Sequence, residues 1–308
     1  MTLILAMSVV IGMLLGLLGG GGSILTVPML VYLGHVDPKI AIVSSFVVVG
    51  TSSLMALIPH ARRGFVCWKS GVFFGLAGMV GAFCGGRLAG HFSSDILMAL
   101  FGVVSLSTGL LMFVSAKTSS TQADAVLPLR ICPLHVPFLR VLFDGFFVGA
   151  LTGMVGVGGG FLIVPALTLL VGLPMQGAVG TSLLVIVMNA VAGLAGYSQH
   201  VELDLNLTLI VAGGAVIGSA FGGLLSVHVK PESLRRSFGL MVVLVAAYVL
   251  YQTVSLQLLL TAMHWLQNPQ NPSWTIVGLL LFWVLLRIAG WIHKTDTSED
   301  NFTRIADE

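Results

Sequence analysis

Two stretches decide the fold: Gly19-Gly20-Gly21-Gly22-Ser23-Ile24-Leu25-Thr26-Val27-Pro28 and Gly156-Val157-Gly158-Gly159-Gly160-Phe161-Leu162-Ile163-Val164-Pro165. Each interrupts an apolar run, 2–35 or 138–171. A straight helix through either run would reach about 51 Å, well beyond a hydrocarbon core of ~30 Å. Clustered glycines followed by a proline break such a helix at mid-length. Both runs are therefore expected to be broken or re-entrant helix hairpins.

Seven further apolar runs surround these two, at about 40–58, 67–90, 95–116, 174–198, 205–227, 233–254 and 274–293. Of the 308 residues, 56% are hydrophobic and 8% charged. Soluble domains carry about 25% charged residues, so too little charge is present to cover a water-facing surface. Thirty-eight glycines add the small-residue content of packed membrane helices. A soluble enzyme, a nucleic-acid binder and a disordered chain are excluded, and a polytopic all-α membrane protein is expected. The N-terminus lacks a basic region and a small-residue cleavage site, so no cleavable signal peptide is expected. Cys67, Cys84 and Cys132 show no pairing or metal-binding spacing, so neither a disulfide nor a zinc site is indicated. Cys67 and Cys84 read as packing residues.

Pro28 and Pro165 lie 137 positions apart, and that offset holds without gaps along the chain. Ten of the nineteen positions from Gly12 to Leu30 recur between Gly149 and Leu167. The same offset aligns Ser44-Ser45 with Thr181-Ser182, Gly85-Gly86 with Gly222-Gly223, and His91 with His228. Chance matching in apolar sequence runs near one position in ten, so the chain is an internal duplication. The expected organisation is a first membrane repeat at 1–116, a cytoplasmic linker at 117–137, a second repeat at 138–255, and an extra helix with a cytoplasmic tail at 256–308.

The fourteen basic residues choose between two topologies. If each broken run crosses once, they divide six against eight between the two faces. If each broken run returns to its own side, twelve share one face and only Lys39 and Arg87 lie opposite. Positive-inside statistics favour the second arrangement. Each half then has three transmembrane helices plus a glycine-rich hairpin, and the halves are inverted repeats. The N-terminus falls outside, with the C-terminus and linker in the cytoplasm.

Broken helices survive in a membrane where they line a cavity, and their N-terminal N–H groups attract anions. Gly21, Gly22 and Ser23 in one half, and Gly158, Gly159 and Gly160 in the other, are the first candidate site residues. Close helix packing is the plainer account of such glycines. The second element of each half adds a polar strip: Ser44, Ser45, Thr51, Ser52 and Ser53 against Thr181, Ser182 and Asn189. Ser45 and Ser52, like Ser182 and Asn189, are seven residues apart and so share a helix face. Membrane serines and threonines also bond to their own helix, which is the alternative. His60, Arg62 and Arg63 stand where they could draw an anion to the cytoplasmic entrance, and Arg87 where it could guard the outer mouth. Topology signalling is the better account of Arg62 and Arg63, and snorkelling explains Arg87 equally well. Asp37, Asp95, Asp144, Glu202 and Asp204 fall near turns or interfaces. With no mid-membrane carboxylate, cation transport is disfavoured.

The doubled pattern G-x-G-G-G-x-x-x-x-P, complete at Gly156–Pro165 and degenerate at Gly19–Pro28, resembles that of the TauE/SafE sulfite exporters. The runs Ala178–Leu183 (A-x-G-T-S-L) and Gly81–Gly86 (G-x-x-x-G-G) are similar to that family as well. The resemblance covers about residues 5–255. It implies a permease of four plus four segments for sulfite, sulfonates, sulfoacetate or related small anions. Gly20, Ser23 and Ser44-Ser45 depart from the pattern of the second half. The expected function is transport of such an anion across the inner membrane by alternating access. No catalytic residue, metal or cofactor is expected. The expected partners are the anion and the lipid bilayer, with no nucleic acid; a homo-oligomer is compatible with the sequence. The alternatives are a cation or metal permease, an intramembrane serine-histidine enzyme, and a non-transporting sensor.

Overall fold

The computed structural model describes residues 2–119, 132, 138–156, 159–169, 171–197, 205–226 and 231–253. The chain divides into two units, Met1–Leu259 and Leu260–Glu308. The second unit, with the helix expected at 274–293, lies outside the described residues. Every described element is helical. In order they are α1 (Thr2–Leu18), α2 (Ser23–Pro28, running on as a π-helical turn Met29–Leu33), α3 (Pro38–Arg62), α4 (Trp68–Ala89), α5 (Ser94–Ser119), α6 (Phe138–Val155), α7 (Gly160–Leu169), α8 (Met175–Tyr197), α9 (Leu205–Leu225) and α10 (Pro231–Thr253). Among the described residues, α3, α4, α8, α9 and Arg236–Thr253 are long and apolar enough to cross a membrane. The chain is an integral membrane protein of the all-α class.

Both long runs break where the glycines stand, and proline shapes the turns beyond them. Pro28 has no N–H to give, and the next turn widens to π spacing, closed by Gly34 N–H on Met29 O at 3.0 Å. The second half closes in the same way, with Val171 N–H on Ala166 O at 3.3 Å. α3 begins at Pro38 behind Asp37, whose carboxylate accepts the Lys39 N–H at 2.8 Å. A proline at the first helical position and an aspartate cap satisfy donors the helix cannot satisfy itself.

Packing pairs elements of different halves. On α1, Gly12 and Gly16 sit on the Ala215 and Ser219 carbonyls of α9; on α6, Gly149 and Gly153 sit on the Gly78 and Ala82 carbonyls of α4. From the other side, Gly218 and Gly222 rest on Val9 and Met13 of α1, while Gly81 and Gly85 rest on Phe146 and Ala150 of α6. Every one of these contacts maps onto its counterpart under the 137-residue offset. A pairwise exchange of this kind is what a two-fold relation between the halves produces. Physically, a Cβ at any of these glycines would fall on a backbone carbonyl, so only glycine admits the close approach.

Contacts also fix helix directions. α1 and α9 run parallel, as do α3 and α9, where Ser44 meets Thr208 and His60 meets Ser226. α3 and α8 cross antiparallel: Gly50 faces the Ala190 methyl group, and Gly193 faces the Phe46 ring. α5 and α10 are antiparallel too, with Gly102 against Leu250 and Gly109 against Val243. The outer surface is apolar. Ile217, Phe221 and Leu224 form an exposed stripe along α9, whose opposite face buries Thr208, Ala215 and Ser219. Apolar residues both inside and outside are what a lipid solvent requires.

Cys67 and Cys132 form a disulfide across 65 residues of sequence, which corrects the expectation that no cysteine pairs. Their separation carries no local signal; the fold brings the linker to the start of α4. Cys84 is an exposed free thiol, not a packing residue.

Candidate functional site

The two glycine breaks meet. The Cα atoms of Gly20 and Gly160 lie so close that a Cβ on either would overlap the other chain segment. Gly19 and Gly156 both take left-handed backbone conformations, with φ of +66° and +75°. The first lies against Val179 and the second against Ile42, again equivalent positions. A side chain there would be strained and would have no room.

One serine from each half holds the other half's break. Ser45 Oγ donates to Gly156 O and lies 2.7 Å from Ile42 O; Ser182 Oγ donates to Gly19 O and lies 2.8 Å from Val179 O. A hydroxyl has one proton, so each serine shares it between its own helix and the opposite loop. All four of Ser44, Ser45, Thr181 and Ser182 are buried. Thr208 Oγ1 donates to Ser44 Oγ at 2.9 Å, and Thr181 Oγ1 accepts the Cys67 N–H at 2.9 Å.

The glycine-flanked helix starts are largely self-capped. Ser23 N–H and its hydroxyl bond to Gly20 O at 3.1 and 2.6 Å, Ile24 N–H to Gly21 O, and Leu25 N–H to Gly22 O. Leu162 and Ile163 N–H groups both turn to Gly159 O, at 2.9 and 2.8 Å. Of the candidate glycines only Gly160 touches the opposite break, at Gly20; Gly21 lies against Phe238, Gly22 against Ile11 and Leu15, and Gly159 against Thr152, and many of the donors at these helix starts are already used. Gly158 lies outside the described residues.

Ser52 and Asn189 are repeat mates beside the α3–α8 crossing. The Ser52 hydroxyl bonds back to Val48 O of its own helix at 2.5 Å. Asn189 is 1% exposed and its amide has no partner at either the nitrogen or the oxygen. The amide oxygen lies against Gly78 of α4, 2.6 Å from where a Cβ would stand. Buried hydroxyls at Thr26, Ser53 and Ser105 also lack partners. Ser53 belongs to the polar strip read from sequence, whereas Thr26 and Ser105 fall outside both strips.

The peripheral candidates divide. His60 is buried, with Nδ1 at 2.9 Å from Ala56 O and Nε2 at 3.1 Å from Ser226 Oγ. It ties α3 to the end of α9. Its repeat mate Tyr197 does the same for α8 and α6, donating to Met154 O at 2.8 Å. Arg62, Arg63 and Arg87 are exposed at helix ends, away from the glycine centre. Asp144, expected near an interface, is buried in α6, one residue before Gly145 meets Phe74 of α4. Among the described residues no cluster of His, Cys, Asp or Glu is suited to a metal ion.

Comparison with known proteins fits this architecture. Residues 4–249 match the family described as Sulfite exporter TauE/SafE. A protein of Xylella fastidiosa, named a probable membrane transporter protein, is 36% identical over 246 residues, covering 79% of this chain and 92% of its own. The probable membrane transporter protein YunE of Bacillus subtilis is 25% identical over 268 residues, 80% of this chain and 97% of that one. One from Methanocaldococcus jannaschii is 28% identical over 254 residues, 76% and 90% of the two chains. No solved structure matches significantly.

Proposed function

Because the chain belongs to the TauE/SafE sulfite exporter family, we propose that this membrane transporter moves a small anion, sulfite or another sulfur-containing or organic anion such as a sulfonate or sulfoacetate. It works by alternating access, as a transporter and not an enzyme, in the bacterial inner membrane. The observation that carries the reading is the reciprocal locking of the two glycine breaks by Ser45 and Ser182. Transporters built from repeats bind their substrate where discontinuous helices of the two halves meet, and rock one half against the other.

In this reading the repeats are inverted in the membrane. The antiparallel α3–α8 and α5–α10 pairs support it: a broken run that crossed the membrane outright would make both pairs parallel. The positive residues then put the linker and the Arg62-Arg63 end of α3 in the cytoplasm, and the N-terminus outside. Cys67–Cys132 lies on that same face. In a reducing cytoplasm such a bond is reversible, whereas the opposite orientation would make it permanent. Cysteines introduced at Asp124 and Glu202 should label from the inside and the outside respectively; labelling from one side alone defeats the inverted arrangement.

Substrate class is tested by thermal stabilisation of the purified protein with sulfite, thiosulfate, sulfoacetate, taurine, sulfate, simple carboxylates and a divalent metal. A ligand at a hundred times its Kd adds about 2.7 kcal/mol of apparent stability. Stabilisation by a sulfur anion is the expected result. The buried Asp144 favours a second reading, a cation permease, since intramembrane carboxylates mark cation and proton paths. Response to the metal alone would select it.

A further inference from the structure

We propose that the Cys67–Cys132 disulfide is a reversible covalent site for sulfite, which adds to the Cys132 sulfur and releases Cys67. The choice of nucleophile rests on the sulfur-anion reading above; the site itself lies outside the two glycine breaks.

The two sulfurs of this bond stand in unlike surroundings. Cys132 is exposed, whereas Cys67 is buried in the connection between α3 and α4. A nucleophile therefore reaches Cys132 and not Cys67. Cys67 is also the residue from which α4 starts, at the head of a 22-residue helix. The N–H groups and dipole of a helix N-terminus stabilise a thiolate, and the more stable thiolate leaves faster. Arg62, Arg63 and Lys69 flank Cys67 in sequence and all three are exposed, and no acidic residue occurs between Pro38 and Ser94. That local excess of positive charge draws an anionic nucleophile and steadies the departing thiolate. Accessible electrophile, stabilised leaving group and cationic surroundings thus fall on one bond. Exposed disulfides are the labile ones, and those facing a reducing compartment usually act as transient or sensing bonds.

The step balances without a further reagent. The lone pair on the sulfite sulfur forms a bond to Cys132 Sγ, and the electron pair of the S–S bond leaves on Cys67 Sγ. Cys132 becomes an S-sulfonate with one negative charge, and Cys67 a thiolate that takes a proton from water. Sulfite sulfur is oxidised as the cystine is reduced. The reverse attack by Cys67 re-forms the disulfide and expels sulfite, so the site empties when sulfite falls. Sulfate and sulfonates carry no lone pair on sulfur and do not react.

The position of the bond gives its opening a consequence. Cys67 N–H donates to Thr181 Oγ1 at 2.9 Å, Gly180 packs on Phe65 O, and Gly71 packs on the Thr181 side chain. Thr181 precedes Ser182, whose hydroxyl holds Gly19 O. The disulfide thus pins Cys132 where the starts of α4 and α8 meet, next in sequence to one of the two serines that hold the breaks.

The test treats the purified full-length protein with sulfite, sulfate or methanesulfonate near neutral pH, with the neutral disulfide of mercaptoethanol as a rate reference. Acid quenching, removal of the reagent, alkylation under denaturing conditions and peptide mass spectrometry then locate every cysteine. Sulfite alone should yield S-sulfonate at Cys132 and alkylated Cys67, while Cys84 is alkylated in every arm. Opening should be severalfold faster than that of the reference at low salt, should slow with added sodium chloride, and should reverse when sulfite is removed. An adduct on Cys67, opening no faster than the reference, or both cysteines already alkylated in the untreated protein overturns the inference. Uptake of radiolabelled sulfite into proteoliposomes separates the two readings. An adduct without uptake keeps this site and sinks sulfite transport; uptake without an adduct does the reverse.

Discussion

Ser52 and Asn189 hold equivalent places in the two halves, and the contrast between them shows where the duplication stops short of identity. Around both, the duplication is kept to the level of single contacts: glycine against carbonyl, serine against the opposite break, His60 and Tyr197 each tying a helix end. At this pair the symmetry fails, as it does between Ser44, bonded by Thr208, and its mate Thr181, bonded by the Cys67 N–H. Ser52 is closed on its own helix, and Asn189 is left open in the core. A duplicated scaffold supplies the common framework; recognition of one substrate needs only one of two equivalent positions to change.

The largest effect should come from breaking the symmetric framework. Gly81→Val and its mate Gly218→Val each drive a side chain onto a carbonyl, Phe146 O or Val9 O. Both should abolish the monodisperse folded protein in detergent chromatography, and to the same degree. If one is tolerated and the other is not, the halves do not share one packing scheme.

Next in size is the asymmetric pair. Asn189→Leu removes a buried unpaired amide and should raise the stability of the ligand-free protein by roughly 1–3 kcal/mol. It should also erase the stabilisation by anions, about 2.7 kcal/mol at a hundredfold excess over Kd. Ser52→Ala loses a bond within its own helix and should keep the anion response. Melting curves with and without sulfite measure all of this. A variant at 189 that still responds to sulfite would place the site elsewhere.

The framework is largely legible in sequence because glycine and proline act locally. Gly19–Gly22 and Gly156–Gly160 break their helices whatever surrounds them, and the offset between Pro28 and Pro165 announces the repeat. The site is legible only in outline. Spacing puts Ser45, Ser52, Ser182 and Asn189 on shared faces, but does not say which hydroxyls their own backbone will take. That depends on carbonyls one turn away and on the opposite break, both tertiary matters. The donors expected at the helix starts are mostly drawn into turns at Gly20, Gly21, Gly22 and Gly159. His60 reads as part of an anion entrance because it stands beside Arg62 and Arg63; its burial between Ala56 and Ser226 is a property of the α3–α9 contact. Cys67–Cys132 is invisible in sequence for the same reason.

The smallest expected effect probes the two locks. Ser45→Ala and Ser182→Ala each delete one hydrogen bond between the halves, to Gly156 O and Gly19 O. Hydrogen bonds between membrane helices contribute about 0.6 kcal/mol on average and rarely more than ~1.7. Each hydroxyl shares its one proton between the opposite break and its own helix, so the change in stability should sit near the lower figure and be equal for the two variants. Under the proposed rocking of the halves, function should respond more than stability, because these bonds join one half to the other. If rocking of the halves is the transport step, loosening either lock should change the flux with little change in melting temperature. Under a symmetric mechanism the two variants should change flux by matching factors. Unequal factors would mean that the asymmetry at Ser52 and Asn189 extends to the locks, and that one break carries the substrate while the other only supports it.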